Sequence, residues 1–140
     1  MVEAARLREL LERVRKAEGP DRELDAELAI CFGWQYRSRK GRGREWLDDS
    51  FGSVETWVRQ PPAFTASLDA ITALIERELP GQAWTLGKNV HYHYWQCTFI
   101  ALDENGNPFG LASSHAAATP EIAMVAAFLS AKAALAEART

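Results

Sequence analysis

Apolar residues recur every three to four positions in four segments of the chain, a spacing that places them on one face of an α-helix. The pattern predicts helices over residues 2–17, 20–32, 66–79 and 120–137. Proline or glycine lies at the ends of the second and third segments, as expected at helix termini. The fourth segment is apolar or small on most of its circumference, which indicates a helix covered on two faces.

Aromatic and β-branched residues are concentrated between the third and fourth helices, and such runs predict β-strands. The runs are residues 83–88, 90–103 and 108–113. Asn105 and Gly106, between the last two runs, favour a tight hairpin turn. This part of the sequence therefore predicts three consecutive antiparallel strands.

A smaller hairpin is predicted at about residues 34–47, where aromatic residues flank a basic turn that contains glycine. The element order is then helix, helix, hairpin, helix, three strands and helix. Helices before and after a run of strands predict a layered α+β domain. We expect residues 1–140 to form a single α/β/α sandwich domain, in which an antiparallel sheet of three to four strands is sandwiched between helical layers.

The last helix needs cover on the face that does not pack on the sheet. That face carries Met124, Phe128, Ala131 and Leu135. The helix at 2–17 could provide the cover, in which case the monomer is complete. A second copy of the chain is the alternative, because large exposed apolar patches are uncommon on monomers and two-fold dimers commonly bury them. We predict a homodimer.

The composition is that of an ordinary globular protein, with 47% hydrophobic and 25% charged residues. A net charge of −3 gives no overall attraction to nucleic acid. No run approaches the roughly eighteen apolar residues of a membrane span, and the first residues lack the apolar centre of a signal peptide. Cys31 and Cys97 are too few for a disulfide framework, which indicates reduced thiols. We expect a cytoplasmic protein with no membrane role.

Five cations fall within the eight residues of the predicted hairpin turn, "RSRKGRGR". They are Arg37, Arg39, Lys40, Arg42 and Arg44. Cations beside stackable aromatic residues, here Tyr36 and Trp46, are typical of sites for single-stranded nucleic acid. The alternative is a solvent-exposed hairpin tip whose cations protect a sheet edge. The acidic remainder of the chain favours the exposed tip.

The segment "NVHYHYWQCTF" at residues 89–99 places His91 and His93 on one face of the predicted strand, together with Cys97. His-x-His on a strand can bind zinc, which takes about four nitrogen, sulfur or oxygen ligands. His115 would supply a third ligand only if the hairpin register shifted by one residue. Packing of an aromatic strand is therefore the favoured interpretation, and no metal site is predicted.

Catalytic signatures are absent from the sequence. It contains no P-loop, no G-x-S-x-G, no H-E-x-x-H and no dinucleotide-binding glycine pattern. Ser114 and His115 are neighbours on a predicted strand and so point to opposite faces. We expect no enzymatic activity and no cofactor.

Three segments taken together resemble the phage ABA sandwich domain family of bacteriophage and prophage proteins. They are "GPDRELDAELAICFGW" (19–34), "PPAFTASLDAITAL" (61–74) and "ATPEIAMVAAFLSAKAAL" (118–135). The resemblance implies a sheet between helical layers, in agreement with the element order. It implies no established activity and no set of functional residues.

The leading hypothesis from the sequence is a phage or prophage accessory protein that binds a protein partner or itself and is not an enzyme. Its expected location is the cytoplasm of a bacterial host, with association with the virion as an alternative. A second hypothesis is a nucleic-acid-binding module that uses residues 37–44. A third is a small metal- or ligand-binding protein that uses His91 and His93.

Overall fold

Ten helices and strands make up the part of the chain that the computed structural model describes, which is residues 2–41, 43–48, 56–102, 105, 108–113 and 116–138. Only the backbone is described at positions 39, 101, 102 and 108–113. The helices are α1 (Ala4–Lys16), α2 (Arg22–Cys31), α3 (Leu68–Glu78) and α4 (Pro120–Ala138). The strands are β1 (Tyr36–Arg39), β2 (Gly43–Asp48), β3 (Thr56–Val58), β4 (Ala83–Asn89), β5 (Tyr94–Leu102) and β6 (Pro108–Ser113).

The strands form two separate antiparallel sheets of three strands each. The main sheet has the order β4-β5-β6, and the three consecutive antiparallel strands that the sequence predicts are present, although β5 begins four residues later than predicted. The small sheet has the order β1-β2-β3, so that the hairpin of the basic turn gains a third strand. The register between β5 and β6 shifts between Ala101 and Leu102. The turn predicted at Asn105 and Gly106 lies largely outside the described residues.

Helix α4 occupies the centre of the molecule. It packs on all three strands of the main sheet, and it also contacts α1 and α3. Every residue from Ile122 to Leu129 is buried. A helix that packs on one side only would leave some of these residues exposed, so α4 is covered on more than one face. The prediction that the last helix is covered on two faces is confirmed. In the described residues, no helix combines the length and apolarity needed to cross a membrane.

The α+β class is confirmed, with an antiparallel three-stranded sheet and helices packed in layers. Successive side chains of β4 and β5 point to opposite faces of the sheet. On the inner face, Trp84, Leu86, Cys97 and Phe99 join the hydrophobic core. The layers follow one another as main sheet, α4 and α1. The central layer is thus a helix, with the sheet on one side and a second helix on the other.

Helix α1 covers the second face of α4. Leu7, Leu10, Leu11 and Val14, the apolar stripe of α1, are all buried. An ion pair between Arg8 Nε and Glu137 Oε1, at 2.8 Å, joins the two helices at the surface. The reason for predicting a homodimer was an uncovered face of α4. That reason does not hold, because the chain supplies the cover itself.

Two of the helices begin after residues whose side-chain hydroxyls cap them. Thr119 Oγ1 accepts a hydrogen bond from the Ile122 amide at 3.2 Å, and Ser67 Oγ accepts one from the Ala70 amide at 3.2 Å. Thr65, two residues before Ser67, does not cap α3, and its hydroxyl bonds to Asp25 of helix α2 instead. Because Ser67 caps α3, the Thr65 side chain is available to connect two parts of the fold.

Candidate binding surfaces

The segment 90–93 is a turn and does not belong to a strand. The prediction of a continuous strand over 90–103 is wrong at its beginning, because Asn89 is the last residue of β4 and pairs directly with Tyr94, the first residue of β5. His91 and His93 therefore lie in the connection between two strands. They do not share a strand face with Cys97.

The Asn89 side chain explains why the chain turns here. Its Oδ1 accepts hydrogen bonds from the backbone amides of His91 and Tyr92, both at 3.0 Å, which is the way asparagine stabilises a turn. His93 completes the reversal with φ of 58°, in the left-handed region. The alternation of aromatic and polar residues through this segment resembles a strand, and Asn89 is the signal that it is not one.

We expect the backbone of His93, and not its imidazole, to determine which residues this position accepts. Substitution His93→Gly should leave the free energy of unfolding unchanged or raise it by up to about 1 kcal/mol, because glycine adopts the left-handed region without steric cost. Substitution His93→Val should lower it by about 1 kcal/mol or more. Urea denaturation of the two variants measures the difference. Equal stabilities would contradict a turn role.

The four residues Val90–His93, here called the hairpin tip, project into solvent. Val90 and Tyr92 are 78% and 70% exposed, more than any other large hydrophobic residue in the described chain. The rings of Tyr92 and Tyr94 stack at 6.4 Å, and His91 contacts Tyr92 edge-on at 5.0 Å. The strand pattern assigns these residues to a packed surface, so their exposure could not be predicted from it.

The candidate metal ligands that the structure describes lie in different environments. His91 and His93 are exposed at the hairpin tip, whereas Cys97 is buried in the core, where burial raises the pKa of its thiol to about 12. His115 lies outside the described residues. No group of three or more His, Cys, Asp or Glu side chains within the described ranges is arranged to hold a metal ion.

The small sheet sorts the cations of the basic turn onto two faces. Tyr36 pairs with Trp46, and Ser38 pairs with Arg44, so these four residues share one face. On this face the Arg44 guanidinium lies 4.9 Å from the ring centre of Tyr36 and 5.9 Å from that of Trp46. Trp46 is almost completely buried and anchors the sheet to the core. Tyr36 is 45% exposed.

The opposite face of the small sheet contains Arg37, which is already engaged within the protein. Its Nε donates to Glu45 Oε1 at 3.1 Å, and its guanidinium lies 4.1 Å from the ring centre of Trp57. Lys40 is exposed in the turn. Arg42 and the side chain of Arg39 lie outside the described residues. Of the five cations of the basic turn, the described structure thus exposes Arg44 and Lys40 to solvent.

Comparisons of the chain with protein-family models, with curated proteins and with solved structures find no match.

Proposed function

We propose that this protein is a phage or prophage accessory protein that binds a protein partner through its hairpin tip and has no enzymatic activity. The observation that carries the binding surface is the exposure of Val90 and Tyr92, at 78% and 70%. The phage assignment rests on the resemblance of residues 19–34, 61–74 and 118–135 to the phage ABA sandwich family. The partner is a protein of the phage or of its bacterial host, or a second copy of the chain.

The hairpin tip has the properties of a pre-formed binding element. The two hydrogen bonds to Asn89 fix the backbone of the turn, and the contact with Tyr94 orients the Tyr92 ring. A partner that covers the tip therefore orders few additional groups, and the entropy cost of binding is small. Tyrosine is also enriched among the residues that dominate binding energy at protein interfaces.

The reactive groups of the core support a role without catalysis. The Asp25 carboxylate is buried, and its Oδ1 accepts hydrogen bonds from both the amide and the hydroxyl of Thr65 at 2.8 Å. The Cys97 thiol, with a pKa of about 12, is not a thiolate at neutral pH and so is not a nucleophile. Both groups serve packing and connection in this proposal.

Photocrosslinking in the bacterial host tests the proposed interface even before the partner has been identified. A benzophenone amino acid is placed at position 92 in one variant and at the exposed Glu76 of α3 in another. We expect one discrete adduct from position 92 and none of the same mass from position 76. The adduct should disappear when Val90→Ser is added, because that change removes apolar contact area from the tip.

Light scattering of the purified protein identifies the case in which the partner is a second copy. Self-association predicts a mass of twice 15.6 kDa, lost in Tyr92→Ser. If position 92 gives no adduct in the host and the purified chain remains a monomer, the hairpin tip is not a protein-binding site.

A further inference from the structure

Arg44 of the small sheet contacts aromatic rings and forms no ion pair with the described residues. Its guanidinium lies over Tyr36 and Trp46, and no carboxylate comes within ion-pair distance of it in the described ranges. Arg37 differs, because Glu45 neutralises it on the other face. Within the part of the sheet that the structure describes, one arginine charge is thus held beside an exposed ring.

Tyr36 offers a flat surface next to this charge. Its ring is supported from inside by Trp46, at a centroid distance of 5.4 Å, while 45% of the residue remains exposed. Lys40, in the turn, lies four residues further along the same hairpin, so a second exposed positive charge lies beyond this ring.

We propose that this face of the small sheet binds single-stranded nucleic acid, with one unpaired base stacked on Tyr36 and adjacent phosphates bound by Arg44 and Lys40. Aromatic platforms beside cations are the means by which proteins hold single strands without reading their sequence. Residues 37–45 contain five cations and one acidic residue, Glu45, so this segment is positively charged although the whole chain carries −3. The interaction is therefore confined to this surface and is sensitive to salt.

A nucleic acid fits these residues better than an acidic peptide does. A peptide carboxylate would use the charge of Arg44 and Lys40 but would leave the exposed part of the Tyr36 ring in water. A base uses both, because every base has a face that stacks on an aromatic ring. Stacking also requires an unpaired base, so a duplex of equal length should bind less well.

Fluorescence anisotropy with a labelled oligothymidylate of about fifteen nucleotides tests the proposal, since site sizes for single strands reach about this length. At roughly 50 mM salt we expect a micromolar dissociation constant. Tyr36→Ala should weaken binding about tenfold or more, whereas Tyr36→Phe, which keeps the ring, should change it by less than about twofold. Arg44→Gln should reduce the slope of log affinity against log salt by about 0.7, the value for one phosphate contact on a single strand.

Lys16→Gln is the matched control, because it removes one exposed charge from α1 and leaves the small sheet unchanged. It should bind the oligonucleotide as the wild type does.

The melting temperature of each variant shows whether it is folded. If Tyr36→Ala does not fold, the binding measurement on Arg44→Gln tests the proposal. The proposal is overturned if the oligonucleotide fails to bind at low salt. It is also overturned if a polyglutamate peptide or the duplex binds equally well and Tyr36→Ala has no effect. The hairpin tip is not altered in any of these variants, so the outcome is independent of the proposed protein-binding function.

Discussion

Substitution Phe128→Ala is expected to lower the free energy of unfolding by about 3–5 kcal/mol, the usual cost of removing a buried aromatic ring. Phe128 lies in the middle of α4 and has no exposed surface. Its ring centre is 5.1 Å from that of Phe32, just after α2, so the substitution removes contacts between elements that are distant in the sequence. Because α4 is covered on two faces, neighbouring side chains cannot move in from solvent to fill the cavity.

Denaturation by urea, monitored by circular dichroism, measures this loss. Phe128→Leu retains much of the volume and should cost less than about 1.5 kcal/mol. Ala134→Ser, at an exposed position of the same helix, should change stability by less than about 0.5 kcal/mol. A loss below about 1 kcal/mol for Phe128→Ala would show that α4 does not lie at the centre of the fold.

Substitution Thr65→Val should lower the free energy of unfolding by about 2–3 kcal/mol. Valine has the same shape as threonine, but it removes the hydroxyl that donates to Asp25 Oδ1 at 2.8 Å and accepts from the Asp21 amide at 2.8 Å. Hydrogen bonds to charged groups are worth about 1.5–3 kcal/mol, and a buried group that loses its partner adds to the cost. Thr65→Ser keeps the hydroxyl and should cost less than about 1 kcal/mol.

The buried Asp25 carboxyl, to which Thr65 is hydrogen bonded, makes the stability of the protein depend on pH. Burial raises the pKa of the Asp25 carboxyl above its ordinary value of 3.8, and the two hydrogen bonds from Thr65 only partly oppose this. Its Oδ2 is buried and has no hydrogen-bond partner among the described residues. The folded state therefore holds the Asp25 proton more tightly than the unfolded state does. The resulting stabilisation is complete below about pH 4 and is lost as the pH rises through the pKa of the folded state.

Asp25→Asn isolates this contribution, because the amide does not titrate. As the pH is raised above about 4, the wild type should lose stability relative to Asp25→Asn, measured as the difference between their free energies of unfolding. The opposite slope would mean that the hydrogen bonds from Thr65 outweigh the burial of the carboxylate.

Much of the architecture follows from the periodicity of the sequence. The stripe Leu7, Leu10, Leu11 and Val14 predicts an amphipathic helix, and the apolar circumference of residues 120–137 predicts a helix covered twice; both predictions are confirmed. Periodicity reflects only local spacing, so it does not predict which apolar helix stripe packs on which face of another element. The prediction of a second subunit as the cover for α4 arose from that gap.

The candidate sites were harder to predict, because they depend on single side chains. Asn89 ends a strand by hydrogen bonding to two amides, while the residues around it keep the alternation of a strand. Thr65 and Asp25 are 40 residues apart, and each has an adequate local explanation as a helix-terminal residue. The stacking of Arg44 on Tyr36 requires the register of β1 and β2, which the composition of the turn does not determine.

The central position of α4 has a consequence for biosynthesis. Helix α1 leaves the ribosome before α4, yet the face that covers it belongs to α4, and the ion pair between them joins residues 129 positions apart. The buried stripe of α1 therefore lacks its main native partner, α4, while everything between the two helices is translated, although α1 can already contact α2. Contacts of such sequence separation slow folding, and exposed apolar stripes are what chaperones bind. We therefore expect a nascent chain of this protein to expose the apolar stripe of α1 until α4 has left the ribosome.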